Sequence, residues 1–356
     1  MIVVPIGTKG MLIKMVGVIR ELDRAGLEYC LISLSEHGET LDKVREMFGI
    51  REFDLRARNT VDIGNIYEII VWLTKCLKSV LANKIREIDI ILIQGDTLSS
   101  LVSLYWGIGV GKRVAHIEAG LRSGDMFNPF PEEVIRRIID RFSDILYAPT
   151  VFACKNLRNE GVRGEIVYTR GNTIRDAIEY ALRMQPLITP PIERFVLISI
   201  HRVENIFSTR RMELLCEVIR YVVENTNLLP VWVLHKSTRM RLMKLGLYPH
   251  VNKRVKFMRL LDYVSFIHFM KKAEFIITDG GGPQEESFYL GTPCLIFRKR
   301  TEHVEGLGWN VKVSGYDFSK ISGFINSYHI LKKRQIISSS SPSRVIVKDI
   351  LQRVRC

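Results

Sequence analysis

The chain has 356 residues, of which 47% are apolar and 25% charged, so it is a globular protein long enough for two hydrophobic cores. The N-terminus has no basic leader, and no apolar run approaches the ~20 residues that span a bilayer, so we expect a cytoplasmic protein without membrane insertion. The net charge of +14 predicts an acidic partner, which is nucleic acid, an anionic membrane surface or a phosphate-bearing small molecule. Nucleic acid is disfavoured because the basic residues are spread along the chain without a zinc-finger or RRM signature.

In the first half of the chain, apolar runs alternate with helical apolar spacing, which predicts parallel βαβ units. The predicted strands lie at 2–7, 29–33, 88–94, 113–117, 145–147 and 166–168. The predicted helices lie at 11–22, 41–48, 63–84, 98–108, 131–142, 151–159 and 174–183.

A proline-rich segment at 185–191 then marks a domain boundary, after which the alternation restarts. The predicted strands are at 195–200, 231–234, 255–258, 275–278 and 293–297, and the helices at 211–223, 263–271, 285–290 and 344–354. The expected fold class is α/β, with two doubly wound, Rossmann-like domains at 1–187 and 188–356 that face each other across a cleft. Packing of the final helix back on the N-terminal domain stays an open alternative.

Two glycine-containing turns deliver strands into helices. Gly280, Gly281 and Gly282 follow an apolar strand and precede a helix, so the backbone is free to present N–H groups to an anion. Lys9 and Lys14 flank the turn at 7–10, where phosphate contact and a solvated basic helix start are rival interpretations.

The six cysteines are scattered without a CxxC pair, so we predict neither a metal site nor a disulfide framework. No cofactor site is visible.

Polar side chains follow the predicted strands, where ligands of open α/β sheets bind. They are Asp96 and Glu118 with nearby Glu132 in the first half, and His201, Arg202 and Arg298 in the second. Carboxylates, a His-Arg pair and an anion turn at strand ends together predict an enzyme acting on a phosphorylated substrate.

Several motifs over most of the chain resemble the non-hydrolysing UDP-N-acetylglucosamine 2-epimerases, whose fold is shared with GT-B glycosyltransferases. The motifs are QGDT at 94–97, HIEAGLRS at 116–123, PEE with Arg136 at 131–136, GNT at 171–173 with Asp176, HRxEN at 201–205, TDGGGPQEE at 278–286, and TE at 301–302 with Glu305. The resemblance implies C2 epimerisation of a UDP-N-acetyl aminosugar, UDP-GlcNAc to UDP-ManNAc, by elimination and re-addition of UDP. The product would supply surface polysaccharide or glycoconjugate synthesis.

By the same resemblance, Asp96, Glu118 and Glu132 are the acid/base carboxylates and His201 assists at the diphosphate. The residues that this resemblance and the strand-end pattern assign to substrate binding are Lys9, Lys14, Arg136, Arg202, Phe266, Gly280, Gly281, Gly282, Glu286 and Arg298. Core packing is the rival role for Phe266, and a surface ion pair is the rival account of Glu132 with Arg136.

The chain also departs from the family pattern. Lys9 stands where the family has arginine, and the usual TERPE appears as Thr301 to Glu305 with His303 at the arginine position. A hydrolysing epimerase, an epimerase of another UDP-diacetamido or deoxy aminosugar, and a GT-B glycosyltransferase stay as alternatives, beside a non-enzymatic basic protein. We expect a homodimer.

Overall fold

A computed structural model describes residues 1–34, 38–57, 75, 88–126, 130–252, 255–336 and 340–354. The helix predicted at 63–84 lies outside these residues, apart from Lys75. The described chain divides into two compact units: unit 1 comprises 1–177 with 340–354, and unit 2 comprises 178–336.

Unit 1 is built on a seven-stranded sheet in which every pair of neighbouring strands is parallel. Its strands are β1 (Ile2–Ile6), β2 (Tyr29–Ser33), β3 (Leu55–Arg56), β4 (Ile90–Gln94), β5 (Arg113–Ile117), β6 (Ile145–Ala148) and β7 (Glu165–Tyr168). They lie in the order β3-β2-β1-β4-β5-β6-β7. All residues of β1, β2 and β4 are buried, as expected of a parallel sheet covered by helices on both faces.

The helices of unit 1 connect these strands. They are α1 (Lys9–Arg24), α2 (Gly38–Met47), α3 (Leu98–Gly109), α4 (Glu132–Phe142), α5 (Val151–Asn159), α6 (Ile174–Arg183), whose first turn belongs to unit 1, and the C-terminal helix α14 (Pro342–Val354). Three of them begin directly after a strand with a threonine whose hydroxyl accepts a backbone N–H: Thr8 from Met11, Thr97 from Ser100 and Thr150 from Ala153. These N-caps satisfy donors at the helix starts and fix the exit of each strand-end turn.

Unit 2 has a six-stranded sheet, again parallel throughout, in the order β10-β9-β8-β11-β12-β13. Its strands are β8 (Phe195–Ser199), β9 (Leu229–Val233), β10 (Lys256–Met258), β11 (Phe275–Thr278), β12 (Cys294–Ile296) and β13 (Val311–Val313). Its helices are α7 (Val203–Ile206), α8 (Thr209–Asn225), α9 (Lys236–Lys244), α10 (Tyr248–Asn252), α11 (Tyr263–Lys272), α12 (Gly281–Leu290) and α13 (Phe318–Leu331). The prediction of two α/β domains with parallel sheets is confirmed.

The division between the units differs from the predicted domains 1–187 and 188–356. The proline-rich segment is attached to unit 2, because the backbone N–H of Ile188 donates to Ser265 of α11 and His268 of the same helix contacts the carbonyl of Met184. The final helix belongs to unit 1, where Ser343 donates its backbone N–H to Asp176 and Tyr147 donates its hydroxyl to Asp349.

The structure also adds elements that the sequence analysis missed, namely β3, β13, α7, α9, α10 and α13. The helix predicted at 285–290 begins earlier, at Gly281, so two of the three glycines lie in its first turn.

Cysteines 30, 154 and 294 are buried and free, and Cys216 is free and partly exposed. No helix in the described part of the chain has both the length and the apolar character needed to cross a bilayer.

Packing of α14 against α1 generates a first prediction. A Cβ added to Gly17 would lie 2.4 Å from Ser343 Oγ and 2.7 Å from Asp176 Cβ, so Gly17→Ala should lower the free energy of unfolding by ~1–3 kcal/mol, the range for overpacking. Gly10 in the same helix is the matched control, since its added Cβ would meet nothing closer than 3.9 Å. Thermal and urea unfolding of both variants measure the difference, and equal stability of the two would contradict the packing argument.

Candidate functional site

The predicted residues cluster where the strand order of each sheet reverses. In unit 1 this switch point lies between β1 and β4, and in unit 2 between β8 and β11. In open α/β sheets the connections leave such strands in opposite directions and open a crevice that binds ligands. Each unit therefore carries its own group of candidate residues at its switch point.

Glu118 directly follows β5 and is held in a strained backbone conformation. Its φ is +78°, in the left-handed region that a non-glycine residue rarely adopts, and the residue is only 8% exposed. Its backbone N–H and that of Ala119 both donate to the carbonyl of Tyr147 on β6. Strain of this kind costs ~1–3 kcal/mol and is found mainly at functional sites.

Three donors converge on the carboxylate of Glu118. The Lys14 ammonium on α1 and the Asn172 side-chain amide, at 2.7 Å, both donate to Oε1, while the Gln94 amide at the end of β4 donates to Oε2. These contacts orient the carboxylate from three separate elements. Lys14, predicted as a phosphate contact, is thus paired with a carboxylate in this structure, whereas Lys9 is exposed.

Asp96 is the second predicted carboxylate, and it is held by Arg136. The buried guanidinium of Arg136 donates to Asp96 Oδ2 and to Glu133 Oε2 at 2.5 Å. Glu133 is itself fully buried and also accepts the backbone N–H of Ser123. Arg136 therefore links the turn after β4 to helix α4. Asp96 stays partly exposed to solvent, with 26% of its side-chain area accessible.

Glu132 is the first residue of α4. Its Oε2 atom is buried and has no hydrogen-bond partner among the described residues, and no ion pair in that part of the chain joins it to Arg136. The rival account of a surface ion pair between these two residues is thus wrong for this structure. A buried carboxylate oxygen without a donor is costly and marks a place for a ligand or solvent to donate.

His116 and Asp140 lie beneath both carboxylate turns. His116 Nδ1 is 2.7 Å from Asp140 Oδ1 and its Nε2 is 3.1 Å from the carbonyl of Gly95, the residue before Asp96. Asp140 Oδ2 accepts Arg122 Nη1 at 2.7 Å and the backbone N–H of Gly120. Burial alone would raise the pKa of Asp140, but the hydrogen bond from His116 and the charge of Arg122 hold that pKa below its usual range.

In unit 2 the corresponding anchor is Asp279, which follows β11 and is fully buried. Its oxygens accept the backbone N–H groups of His201 at 3.1 Å and Arg202 at 2.8 Å, and the side-chain amide of Asn205 at 2.9 Å. The carboxylate therefore ties the turn after β8 to the turn after β11, the two strands at the switch point.

The N-terminus of α12 is the predicted anion site. Gly280 is its N-cap and makes no side-chain capping bond, so the N–H groups at the start of the helix are available to a ligand. A Cβ at Gly281 would lie 2.6 Å from His303 Nε2, so that position has no room for a side chain, whereas Gly282 is open. Glu286 on the same helix is buried, and burial together with this carboxylate raises the pKa of Tyr263 well above its usual value.

The remaining predicted residues of unit 2 surround this turn. The ring of His201 stacks on His235 with centroids 4.5 Å apart, and Arg202 Nη2 lies 3.6 Å from Glu302 Oε1. Arg298 is buried and donates to Glu302 Oε2 at 2.9 Å. Although burial would raise the pKa of Glu302, the positive charges of His303, Arg298 and Arg202 lower it to about 2.

Phe266 lies on α11 with a partly exposed ring and is not among the buried residues of that helix. The uracil contact predicted for it stays a prediction, as do the catalytic and binding roles of the other site residues.

Sequence reasoning missed several side chains that build the site. Gln94 and Asn172 lie inside the quoted motifs QGDT and GNT, so a signal was present, but it did not indicate that both would donate to Glu118. Asp140 and His235 carried no motif at all. Their roles appear only once the sheet places them beside His116 and His201.

Comparison with known proteins identifies chains of the same kind. Residues 20–335 match the family model described as UDP-N-acetylglucosamine 2-epimerase. The UDP-N-acetylglucosamine 2-epimerase of Bacillus subtilis is 32% identical over 333 residues, which cover 88% of this chain and 83% of the relative.

Solved structures agree over nearly the full length. The co-structure of S. aureus MnaA with UDP matches with a TM-score of 0.85 and 28% identity, covering 100% of this chain and 98% of that one. The UDP-GlcNAc 2-epimerase of Methanocaldococcus jannaschii, in complex with UDP-GlcNAc and UDP, matches with a TM-score of 0.83 and 26% identity, covering 99% of each chain.

The buried His116–Asp140–Arg122 cluster generates a second prediction. Asp140→Asn should lower the free energy of unfolding by ~3–5 kcal/mol at pH 7, because the buried Arg122 guanidinium and the His116 ring both lose a charged hydrogen-bond acceptor. Since the pKa of Asp140 is depressed in the folded protein, its contribution is complete above the unfolded value of ~3.9 and is lost as the pH falls further. Urea unfolding of wild type and variant from pH 7 down to 3.5 measures the difference in unfolding free energy and its dependence on pH. A difference that already shrinks between pH 7 and 5 would contradict the assignment.

Proposed function

Because the chain belongs to the UDP-N-acetylglucosamine 2-epimerase family, we propose that it inverts C2 of a UDP-N-acetyl aminosugar, converting UDP-GlcNAc to UDP-ManNAc. The observation that carries the proposal is the convergence of Lys14, Gln94 and Asn172 on the strained, buried Glu118. A carboxylate fixed in this way is suited to transferring a proton at a defined atom of a substrate.

Inversion at C2 by elimination requires two kinds of group. A base removes the C2 proton as UDP departs, and an acid returns a proton to the opposite face when UDP adds back. We assign these transfers to Asp96, Glu118 and Glu132 of unit 1. Asp96 keeps an exposed edge and Glu132 keeps a buried oxygen without a donor among the described residues, so both retain atoms that are able to meet a substrate.

The departing diphosphate requires donors that stabilise its growing negative charge. We assign this role in unit 2 to the N–H groups at the start of α12, with His201, Arg202 and Arg298 in support. Glu286, held beside Tyr263, is proposed to bind the ribose hydroxyls, and Phe266 the uracil. In unit 1, Lys9, Lys14 and Arg136 are proposed to complete the charge balance. A homodimer and a cytoplasmic location stay predictions.

Reaction in D2O tests the proposed route. Elimination and re-addition place deuterium at C2 of the product, and prolonged incubation releases UDP with a glucal, which NMR resolves directly from UDP-GlcNAc. Product that keeps its original C2 hydrogen would rule out this chemistry. Accumulation of free N-acetylmannosamine would instead move the protein to the hydrolysing class.

Neutral replacements test the carboxylates. Asp96→Asn and Glu118→Gln should reduce turnover by ~100-fold or more, the scale of lost acid–base catalysis, while UDP affinity changes little. Glu165→Gln is the control, since Glu165 lies at the opposite end of a strand, on the surface, paired with Arg353. Steady-state kinetics and calorimetric UDP binding give the two readouts. Turnover near the control value in both site variants would refute the assignment.

A further inference from the structure

The loop after β12 carries a histidine beneath the anion turn. His303 is 7% exposed, and its Nε2 lies so close to the Cα of Gly281 that an added Cβ would be 2.6 Å away. The ring therefore packs directly against the first residue of α12. No step of the proposed reaction uses this side chain.

The loop is fastened to α12 through one glutamine. Gln284 Nε2 donates to the carbonyls of His303 at 3.0 Å and Glu305 at 3.3 Å, while the hydroxyl of Thr301 donates to Gln284 Oε1. Movement of the His303 loop is thus coupled to movement of the helix that begins at the anion turn.

Within the described part of unit 2, three carboxylates face the ring. Nδ1 is 3.4 Å from Glu285 of α12 and 3.9 Å from Glu305, and Nε2 is 3.8 Å from Glu302. Arg202 from the turn after β8 and Arg298 after β12 face Glu302 in turn. A protonated ring adds a positive charge next to these carboxylates, whereas a neutral ring removes it and leaves more negative charge beside the anion turn.

We propose that His303 is a positioning residue whose imidazolium charge neutralises the carboxylates beneath Gly281 and so lets the start of α12 accept a nucleoside diphosphate. The inference rests on the proposed function and extends it with a dependence of UDP binding on pH.

The charge of the ring is matched to this role. Burial would lower the pKa of His303, but Glu285, Glu302 and Glu305 raise it to about 9. Because the folded value lies above the unfolded value of ~6.5, the stabilisation by the charged ring is complete below ~6.5. It is lost as the pH rises through about 9. UDP affinity should follow the same loss.

Calorimetric UDP titrations at pH 7.5 and pH 10 test the inference with wild type, His303→Arg and His303→Gln. Uracil itself loses a proton between these two pH values, which weakens UDP binding to every variant. His303→Arg is the matched control, because its guanidinium stays protonated at pH 10. Wild type should weaken by about fivefold more than His303→Arg, since ~1.4 kcal/mol of charge coupling reaches its full tenfold effect only above pH 10. His303→Gln should already be about tenfold weaker than wild type at pH 7.5.

Equal weakening of wild type and His303→Arg would overturn the inference while leaving UDP binding, and the proposed function, intact. An NMR titration of labelled histidines gives an independent readout. The His303 resonance is assigned as the one missing from the spectra of His303→Gln and His303→Arg. A His303 resonance that titrates near the ordinary histidine value would also overturn it. Failure of the wild type to bind UDP at pH 7.5 would overturn the proposed function itself, and this inference with it.

Discussion

Every strand pair in both sheets is parallel, and this constraint positions the candidate site residues. A parallel connection must cross a face of the sheet before the next strand begins, so all strands of a unit end at one edge and the following helices start there. Side chains after β4 and β5, far apart along the chain, therefore become neighbours. The same edge collects helix N-termini, whose free N–H groups favour negative charge. The proposed acid/base carboxylates of unit 1 and the proposed anion turn of unit 2 both depend on this arrangement.

Each edge depends on a buried acid that performs no chemistry in the proposed reaction. Asp140 holds His116 and Gly120 around the turns of unit 1, and Asp279 holds the backbone of His201 and Arg202 in unit 2. Removing a carboxylate from water is costly, and these two recover that cost only because three or more donors surround each of them. In each case the acid lies on a different element from its donors, so satisfying the charge also fixes the distance between those two elements. Buried acids in this protein thus give precision to a site built from separate turns.

The sequence predicted the parts of the structure that follow from local patterns. Strand β5 and helix α5 begin and end as predicted, because an apolar run or stripe is bounded by clear turn and capping residues. Helix α9 was missed because four of its nine residues are charged and only Thr238 and Leu242 are buried, so it lacks an apolar stripe. At the site, position after a strand was enough to select Asp96 and Glu118. Their partners could not be predicted, since Asn172 reaches Glu118 across 54 residues and only the sheet register brings them together.

The grouping of α14 with unit 1 has a consequence for synthesis of the chain. Residues 340–354 leave the ribosome after all of unit 2, yet they cover the face of α1 around Gly17 and pair with Asp176 and Tyr147. Unit 2 is continuous from 178 to 336, and all its strands precede the first residue of α14. The nascent chain therefore completes unit 2 first. Until residues 340–354 have been made, unit 1 exposes the apolar face of α1 that they cover. Order of translation and order of completion are reversed in this protein.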